Sequence, residues 1–226
     1  MTRTETDLRK AIVATACALA ARGLTHGKSG NVSARWGDGF LVTPSGFPYE
    51  EMTAADVVAM THDGRATGRH EPSSEWRFHA SIYLARPEAG AVVHCHSPAA
   101  TALSCHRRGI PAFHYMVAVA GGTDVRCAPY ATFGTEELAA LAVTALTGRR
   151  GCLLANHGQI TLGAELGAAL RLAGEIENLC DQYLRALAVG EPVVLSDAAM
   201  AEVLAKFETY GVRRPPAASK GRRSPE

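Results

Sequence analysis

The sequence has no C-x-x-C cysteine pair, no long apolar run and no excess of charge of one sign. Its 226 residues carry a formal net charge of +1, which gives no reason to expect a nucleic acid or an anionic membrane as partner. No segment approaches the roughly 18 consecutive apolar residues of a membrane span, and the N-terminal residues lack the apolar core of a secretory signal. We therefore expect a cytoplasmic protein that binds neither a membrane nor a nucleic acid.

Signals for disulfides and for nucleotide binding are also missing. The six cysteines show no regular spacing, so we expect reduced thiols, most of them buried. The fingerprints G-x-G-x-x-G and G-x-x-x-x-G-K-[ST] are both absent. This absence argues against a doubly wound nucleotide-binding fold.

What is present is a mixture of helical and extended patterns without a regular strand–helix alternation. Helices are predicted at 7–24, 72–86, 98–108, from 135 onwards, 165–189 and 196–210. Strands are predicted at 32–35, 40–43, 57–60, 89–96, 151–155 and 159–162. This mixture favours an α/β layered domain with a largely antiparallel or mixed sheet.

The chain ends and the helix boundaries add two further expectations. One domain is predicted over 1–211, and a disordered basic tail over 212–226, which contains Pro215, Pro216, four arginines and one lysine. Ser97 and Pro98 are typical of an N-cap and a first helical position, so a helix should begin directly after residue 96.

Two histidines one residue apart, His94 and His96, end an apolar run. On a strand, residues i and i+2 point to the same face, so both imidazoles can bind one divalent metal, while Cys95 should face away. His157 follows the predicted strand 151–155 and is the natural third ligand. Three protein ligands and an open position are typical of a catalytic metal rather than a structural one. The alternative is that each is an ordinary surface or core histidine, as we expect for the other six.

Glu75 follows two serines near the start of a predicted helix. A carboxylate beside a metal can be a ligand or a general base, but an acid at this position is also favoured by the helix dipole alone. Ser73 and Ser74 likewise either cap the helix or, together with free N–H groups, bind a phosphate. The loops at 30–31 and 45–46 can add backbone amides to such a phosphate site.

A series of motifs resembles those of the class II sugar-phosphate aldolases. They are GNVSAR (30–35), TPSG (43–46), PSSEWRFH (72–79), AVVHCH (91–96), IPAFHYM (110–116), CAPYATFG (127–134) and NHG (156–158). The resemblance runs in order over about residues 7–212. It implies a three-layer α/β/α fold with a mainly antiparallel central sheet, and a C4 homotetramer with active sites between subunits.

The resemblance also implies roles for particular residues. His94, His96 and His157 would hold Zn²⁺, or another divalent ion such as Mn²⁺ or Co²⁺, with Glu75 as a fourth ligand that leaves on substrate arrival and acts as the base. Tyr115, offered by a neighbouring subunit, would protonate the aldehyde oxygen. Further matches fall at the phosphate-binding positions Gly30, Asn31, Ser45, Gly46, Ser73 and Ser74, and at the aldehyde-side positions Phe133 and Tyr210.

The implied reaction is reversible cleavage of a ketose 1-phosphate into dihydroxyacetone phosphate and an aldehyde. The substrate would be L-fuculose 1-phosphate or a related deoxy or methylthio pentulose 1-phosphate. Two residues depart from the pattern: Lys28 replaces a small threonine-like residue, and Ser45 replaces threonine.

Three other functions stay open at this point. A ribulose-phosphate 4-epimerase has the same three histidines but aspartate where Glu75 stands, so the glutamate favours the aldolase. A metal-dependent decarboxylase would need a basic residue for the carboxylate of its substrate, and none is evident. A non-catalytic scaffold has no need of an open metal site.

Overall fold

An eight-stranded sheet runs through the centre of the protein, of which the computed structural model describes residues 4–209. The strands are β1 (Asn31–Trp36), β2 (Gly39–Val42), β3 (Val58–Thr61), β4 (Ala66–Thr67), β5 (Ala91–Cys95), β6 (Cys127–Ala128), β7 (Gly151–Leu154) and β8 (Gly158–Gly163). Their order is β4-β3-β2-β1-β5-β8-β7-β6. Every pair is antiparallel except β6 with β7, which confirms the mainly antiparallel sheet.

Helices cover both faces of this sheet. They are α1 (Glu5–Ala21), α2 (Trp76–Ala85), α3 (Pro98–Cys105), α4 (Glu136–Ala145), α5 (Leu166–Val189) and α6 (Asp197–Thr209), together with short 3-10 helices at Tyr49–Glu51 and Tyr115–Ala120. Helices α2 and α4 share one apolar core with the sheet, whereas α1, α3, α5 and α6 form the cores on the other side. The expected three-layer α/β/α fold is confirmed.

The period of two along each strand divides the side chains between these layers. Cys95 packs in the core formed by α1 and α5, while its neighbour His94 contacts Phe78 of α2 with ring centroids 5.3 Å apart. The expectation that Cys95 faces away from the histidines is therefore confirmed.

Helices α1 and α2 begin at other residues than the sequence predicts: α2 begins at Trp76 rather than at residue 72. Helix α1 begins at Glu5 rather than residue 7, because Thr4 and Asp7 form a capping box. Ser97 is the N-cap residue of α3 and Pro98 its first residue, as predicted, but the Ser97 side chain makes no capping hydrogen bond. The N–H groups of Ala99 and Ala100 donate instead to the Glu177 carboxylate at 2.7 and 2.9 Å, since an ionised acceptor is stronger than a hydroxyl.

Some expectations concern residues beyond those that the structure describes. Tyr210 and the basic tail 212–226 lie outside the described residues, and the single domain over 1–211 stays a prediction. Within 4–209, no helix is both long and apolar enough to cross a membrane.

Candidate active site

Three histidine rings meet at the end of β5 and at the turn between β7 and β8. The ring centroids of His94, His96 and His157 are 4.8 to 4.9 Å apart in all three pairs, with interplanar angles of 74° to 75°. The sheet register produces this triangle, because β8 pairs antiparallel with β5 and so places the turn before Gln159 beside Cys95. The structure thus brings together the three histidines that the sequence singled out.

Glu75 completes the cluster. It is the N-cap residue of α2, directly before the first helical residue Trp76, whereas the sequence predicts it inside the first turn of the helix. Its two carboxylate oxygens lie 3.2 Å from the Nε2 atoms of His94 and His157. Burial alone would raise the pKa of Glu75, but its interactions with the two histidines outweigh burial and hold the pKa well below its usual range. The carboxylate is therefore ionised and buried in the middle of the cluster.

The orientation of His94 and the pKa of His96 suit metal binding. Nδ1 of His94 donates to the carbonyl oxygen of Gln159 at 2.9 Å, so its Nε2 is the nitrogen that faces Glu75. For His96, burial and the neighbouring His94 and His157 lower the pKa to about 3, so the ring is neutral at ordinary pH. Neutral imidazole is the form that ligates metals.

The carboxylate of Glu75, like the imidazoles, is placed so that it can bind a metal ion. One ligand atom from each of Glu75, His94, His96 and His157 lies within 4.8 Å of the others. Oε1 of Glu75 is buried and makes no hydrogen bond among the described residues, although His157 Nε2 lies 3.2 Å from it. Three imidazoles and one carboxylate are a common ligand set for divalent metals, so this cluster can hold one.

A cleft of about 320 Å³ opens next to these side chains. Its walls include the whole set predicted to bind phosphate: Gly30, Asn31, Ser45, Gly46, Ser73 and Ser74. Lys28, Tyr130 and Asn156 also line it. Tyr130 lies in the CAPYATFG motif and Asn156 in the NHG motif, but neither residue has a predicted role. The predicted phosphate positions and three of the four candidate metal ligands, Glu75, His96 and His157, thus line one cavity.

Backbone conformation shapes the wall of the cleft next to the histidines. Gly30 has φ +88°, and a Cβ atom there would come within 2.8 Å of the His94 carbonyl oxygen. The loop is braced from behind by Tyr49, whose hydroxyl donates to the carbonyl oxygens of Ser29 and Gly30 at 3.1 and 2.7 Å. Glycine is needed here both for the positive φ and for the close approach of two backbones.

Asn31 has a contact that the sequence analysis did not anticipate. Besides lining the cleft, its amide Nδ2 donates to Oε2 of Glu75 at 3.0 Å. Its position at the start of β1 opposite His94 makes this contact possible, because the two residues are register partners. Strand pairing of distant segments produces this contact, and no local motif indicates it.

The predicted aldehyde-side residues are not gathered in the same way. Phe133 lines the cleft but is 63% exposed. Tyr115 is 50% exposed and lines a separate groove with Met116 and Val203. Within one chain the structure therefore brings together the candidate metal ligands and the predicted phosphate positions, but it does not bring Tyr115 to them.

Comparison with known proteins gives a consistent result. Residues 10–184 match the model of the class II aldolase and adducin N-terminal domain. The 5-methylthioribulose-1-phosphate/5-deoxyribulose-1-phosphate aldolase of Rhodospirillum rubrum is 50% identical over 204 residues, which cover 90% of this chain and 92% of that protein. The L-fuculose phosphate aldolase of Escherichia coli is 48% identical over 207 residues, covering 91% and 96%.

A solved structure agrees with these sequence relatives. The structure of an L-fuculose 1-phosphate aldolase superposes with a TM-score of 0.86 at 40% identity, and the match covers 89% of this chain and 96% of that one. This chain thus belongs to the family of the class II aldolase and adducin N-terminal domain, and within that family it is a class II aldolase.

Proposed function

We propose that this enzyme catalyses the metal-dependent, reversible cleavage of a ketose 1-phosphate into dihydroxyacetone phosphate and an aldehyde. The observation that carries the proposal is that one cleft is lined both by Glu75, His96 and His157 of the candidate metal cluster and by the predicted phosphate positions. A ketose 1-phosphate has a carbonyl and a hydroxyl group close to its phosphate, so it can reach both at once. The names of the relatives point to L-fuculose, 5-methylthioribulose and 5-deoxyribulose 1-phosphates as candidate substrates.

The phosphate end of the cleft offers hydroxyl and backbone donors. Ser45, Ser73 and Ser74 contribute side-chain hydroxyls, and Lys28 is the one lysine or arginine among the described residues that line the cleft. Gly46 has φ +63°, the left-handed conformation that turns backbone N–H groups toward a concave anion site. These donors suit a phosphate dianion.

We propose Zn²⁺ as the metal, with Mn²⁺ or Co²⁺ as substitutes, held by the three histidines and Glu75. When bound, a divalent cation stabilises the negative charge that develops on substrate oxygens as the carbon–carbon bond breaks or forms. The donor set supports this choice, because three imidazoles and a carboxylate match the ligands that zinc takes in proteins.

The proton transfers are assigned to Glu75 and Tyr115. In the condensation direction, Glu75 takes a proton from the hydroxymethyl carbon of dihydroxyacetone phosphate, and Tyr115 gives its phenolic proton to the aldehyde oxygen as the new bond forms. In the cleavage direction, Tyr115 recovers the proton from that hydroxyl and Glu75 returns one to carbon. Oε1 of Glu75 supports this role, because it is buried and has no hydrogen-bond partner among the described residues.

We further propose a cytoplasmic C4 homotetramer in which Tyr115 enters the cleft of a neighbouring subunit. The half-exposed position of Tyr115, outside the cleft of its own chain, supports this arrangement. Phe133, and Tyr210 beyond the described residues, are proposed to lie near the aldehyde.

The experiment is cleavage of a panel of ketose 1-phosphates, namely those of fuculose, rhamnulose, ribulose, 5-deoxyribulose and 5-methylthioribulose. Release of dihydroxyacetone phosphate is measured before chelation, after chelation and after Zn²⁺ is restored. We expect release that the chelator abolishes and the metal restores, with a ranking among the aldehydes. No release from any substrate by protein with bound metal would overturn the proposal.

A further inference from the structure

A chain of buried hydrogen bonds leads away from Glu75 into the layer of α2. Asn31 Nδ2 lies 3.0 Å from Glu75 Oε2, and Asn31 Oδ1 lies 2.6 Å from His79 Nε2. On the other side of the ring, His79 Nδ1 lies 2.7 Å from Ser33 Oγ, which lies 2.8 Å from the hydroxyl of Tyr83. All five side chains are buried. These hydrogen bonds thus connect Glu75 in the candidate site with Tyr83 in the core between α2 and the sheet.

Matching repeats on two elements create this chain. Asn31 and Ser33 are two residues apart on β1, and His79 and Tyr83 are four residues apart on α2. Two residues of a strand span about 6.6 Å and four residues of a helix about 6 Å. Because these spacings are similar, side chains from β1 and α2 can follow one another in the order Asn31, His79, Ser33 and Tyr83. A strand and a helix packed together thus hold every link in place.

The charge of Glu75 sets the direction of every hydrogen bond in the chain. A carboxylate only accepts, so Asn31 must present its NH₂ group to Glu75 and its carbonyl oxygen to His79. His79 must then donate through Nε2 and accept at Nδ1 from Ser33, and the Ser33 oxygen accepts from Tyr83. One neutral tautomer of His79 satisfies both neighbours.

We propose that His79 is a positioning residue for the active site, which fixes the amide of Asn31 and through it the orientation of the Glu75 carboxylate. Without the N–H of His79, the Asn31 amide is free to rotate, and its carbonyl oxygen would then repel the carboxylate. The inference rests on the proposed function for its kinetic test. His79 does not line the cleft, and its hydrogen bonds reach the site through Asn31.

The first experiment compares His79→Phe with His79→Gln. The phenylalanine keeps the ring volume and removes both nitrogens, whereas glutamine can offer an N–H near the position of Nε2. We expect His79→Phe to lower kcat and Zn²⁺ affinity about 10- to 100-fold, the range for partners that orient a metal ligand. His79→Gln should recover most of both losses. Equal losses in the two variants would overturn the proposal.

Thr15→Val is the matched control for the loss of a buried hydrogen bond. Thr15 is buried on α1, in the layer on the other side of the sheet, and its hydroxyl donates to the Ala11 carbonyl at 2.8 Å. We expect Thr15→Val to lower the melting temperature but to leave kcat and Zn²⁺ affinity unchanged. If His79→Phe loses no more activity and metal affinity than this control, His79 has only a structural role and the proposal fails.

A double-mutant cycle with Asn31→Ala tests the route. Since His79 acts through Asn31, the double variant His79→Phe/Asn31→Ala should be no slower than Asn31→Ala alone. Fold-changes that multiply would mean independent actions and would contradict the proposal.

Two readouts do not depend on turnover. Zn²⁺ affinity is measured by competition with a chromophoric chelator, and ¹⁵N NMR of histidine-labelled wild-type protein identifies the tautomer of His79. We expect a proton on Nε2 and none on Nδ1, and the opposite tautomer would overturn the proposal even if a variant fails to fold. If the wild type cleaves no ketose 1-phosphate, the proposed function fails, while these two readouts still decide the role of His79.

Discussion

The two ends of the candidate cleft differ in burial. At the metal end, His94 is fully buried and Glu75 is 6% exposed, and both have hydrogen-bond partners on neighbouring elements. At the end where the aldehyde is expected, Phe133 is 63% and Tyr115 50% exposed, and Tyr115 lines a different groove. One chain thus forms the buried metal end by itself, whereas the large side chains expected near the aldehyde are half exposed or more.

This difference in burial suggests which residues of the site have a fixed position and which can differ between relatives. The candidate metal ligands lie at the end of β5, in the turn between β7 and β8 and at the start of α2, whereas three of the predicted phosphate positions, Ser45, Gly46 and Ser74, lie in exposed turns. The exposed aromatic residues are free to be covered by another subunit, which fits the proposed tetramer. Relatives named for fuculose, methylthioribulose and deoxyribulose phosphates are 40% to 50% identical to this chain, so we expect their differences to fall at the aldehyde end.

The largest predicted effect comes from breaking the buried end with His94→Ala. No other side chain can replace this ring, because it is fully buried and oriented by Gln159. We expect metal affinity to fall by more than the roughly 100-fold that loss of an outer partner costs. Metal per chain after dialysis, measured by mass spectrometry, is the test, and full occupancy would show that the ligand set is wrong.

Glu75→Gln sharpens the comparison by removing the proposed base while keeping the shape of the buried end. The variant should keep the fold and bind metal, yet exchange of a proton of dihydroxyacetone phosphate with solvent should slow by about 10²- to 10⁴-fold, the usual contribution of a general base. Deuterium incorporation followed by NMR measures it. An unchanged exchange rate would remove Glu75 as the base.

Tyr115→Phe tests the exposed end separately. Removal of the phenolic proton should slow cleavage by about 10²-fold, the lower range for a general acid, while proton exchange at dihydroxyacetone phosphate should stay at the wild-type rate. The two rates are measured on one preparation. An equal loss in the cleavage rate and in the exchange rate would mean that Tyr115 also takes part in the proton transfer assigned to Glu75.

The smallest predicted effect is that of Lys28→Thr at the rim of the phosphate cleft. Because Lys28 is exposed, its attraction to a phosphate dianion is screened, and we expect KM to rise only about two- to fivefold with kcat unchanged. The rise should shrink as salt is added. A KM that is independent of both the substitution and the salt concentration would leave Lys28 without a role in binding.

Much of the fold could be predicted from the sequence because it depends on local patterns. Helix α5 is predicted within a residue of Leu166–Val189, and the strands predicted at 32–35 and 40–43 lie within a residue of β1 and β2. Helix α3 begins at Pro98 as expected. Its first N–H groups donate to Glu177, which is distant in sequence, rather than to the side chain of the N-cap residue Ser97. Local patterns contain no information on such partners.

The candidate site divides in the same way. His94 and His96 are brought together by strand periodicity, which the sequence shows directly. The contact of Asn31 with Glu75 and the burial of His79 depend on the pairing of β1 with β5 and on the packing of α2, and neither is visible in a local motif. His79 was therefore expected to be an ordinary histidine. Tyr115 stays a prediction, because its proposed cleft belongs to another subunit.

The most direct test of the central claim uses the wild-type protein and dihydroxyacetone phosphate alone. If the buried end of the cleft carries the metal-dependent proton transfer, deuterium should enter this molecule without any aldehyde, stop on chelation and resume when Zn²⁺ is restored. Exchange that continues without metal, or no exchange by protein with bound metal, would contradict the account.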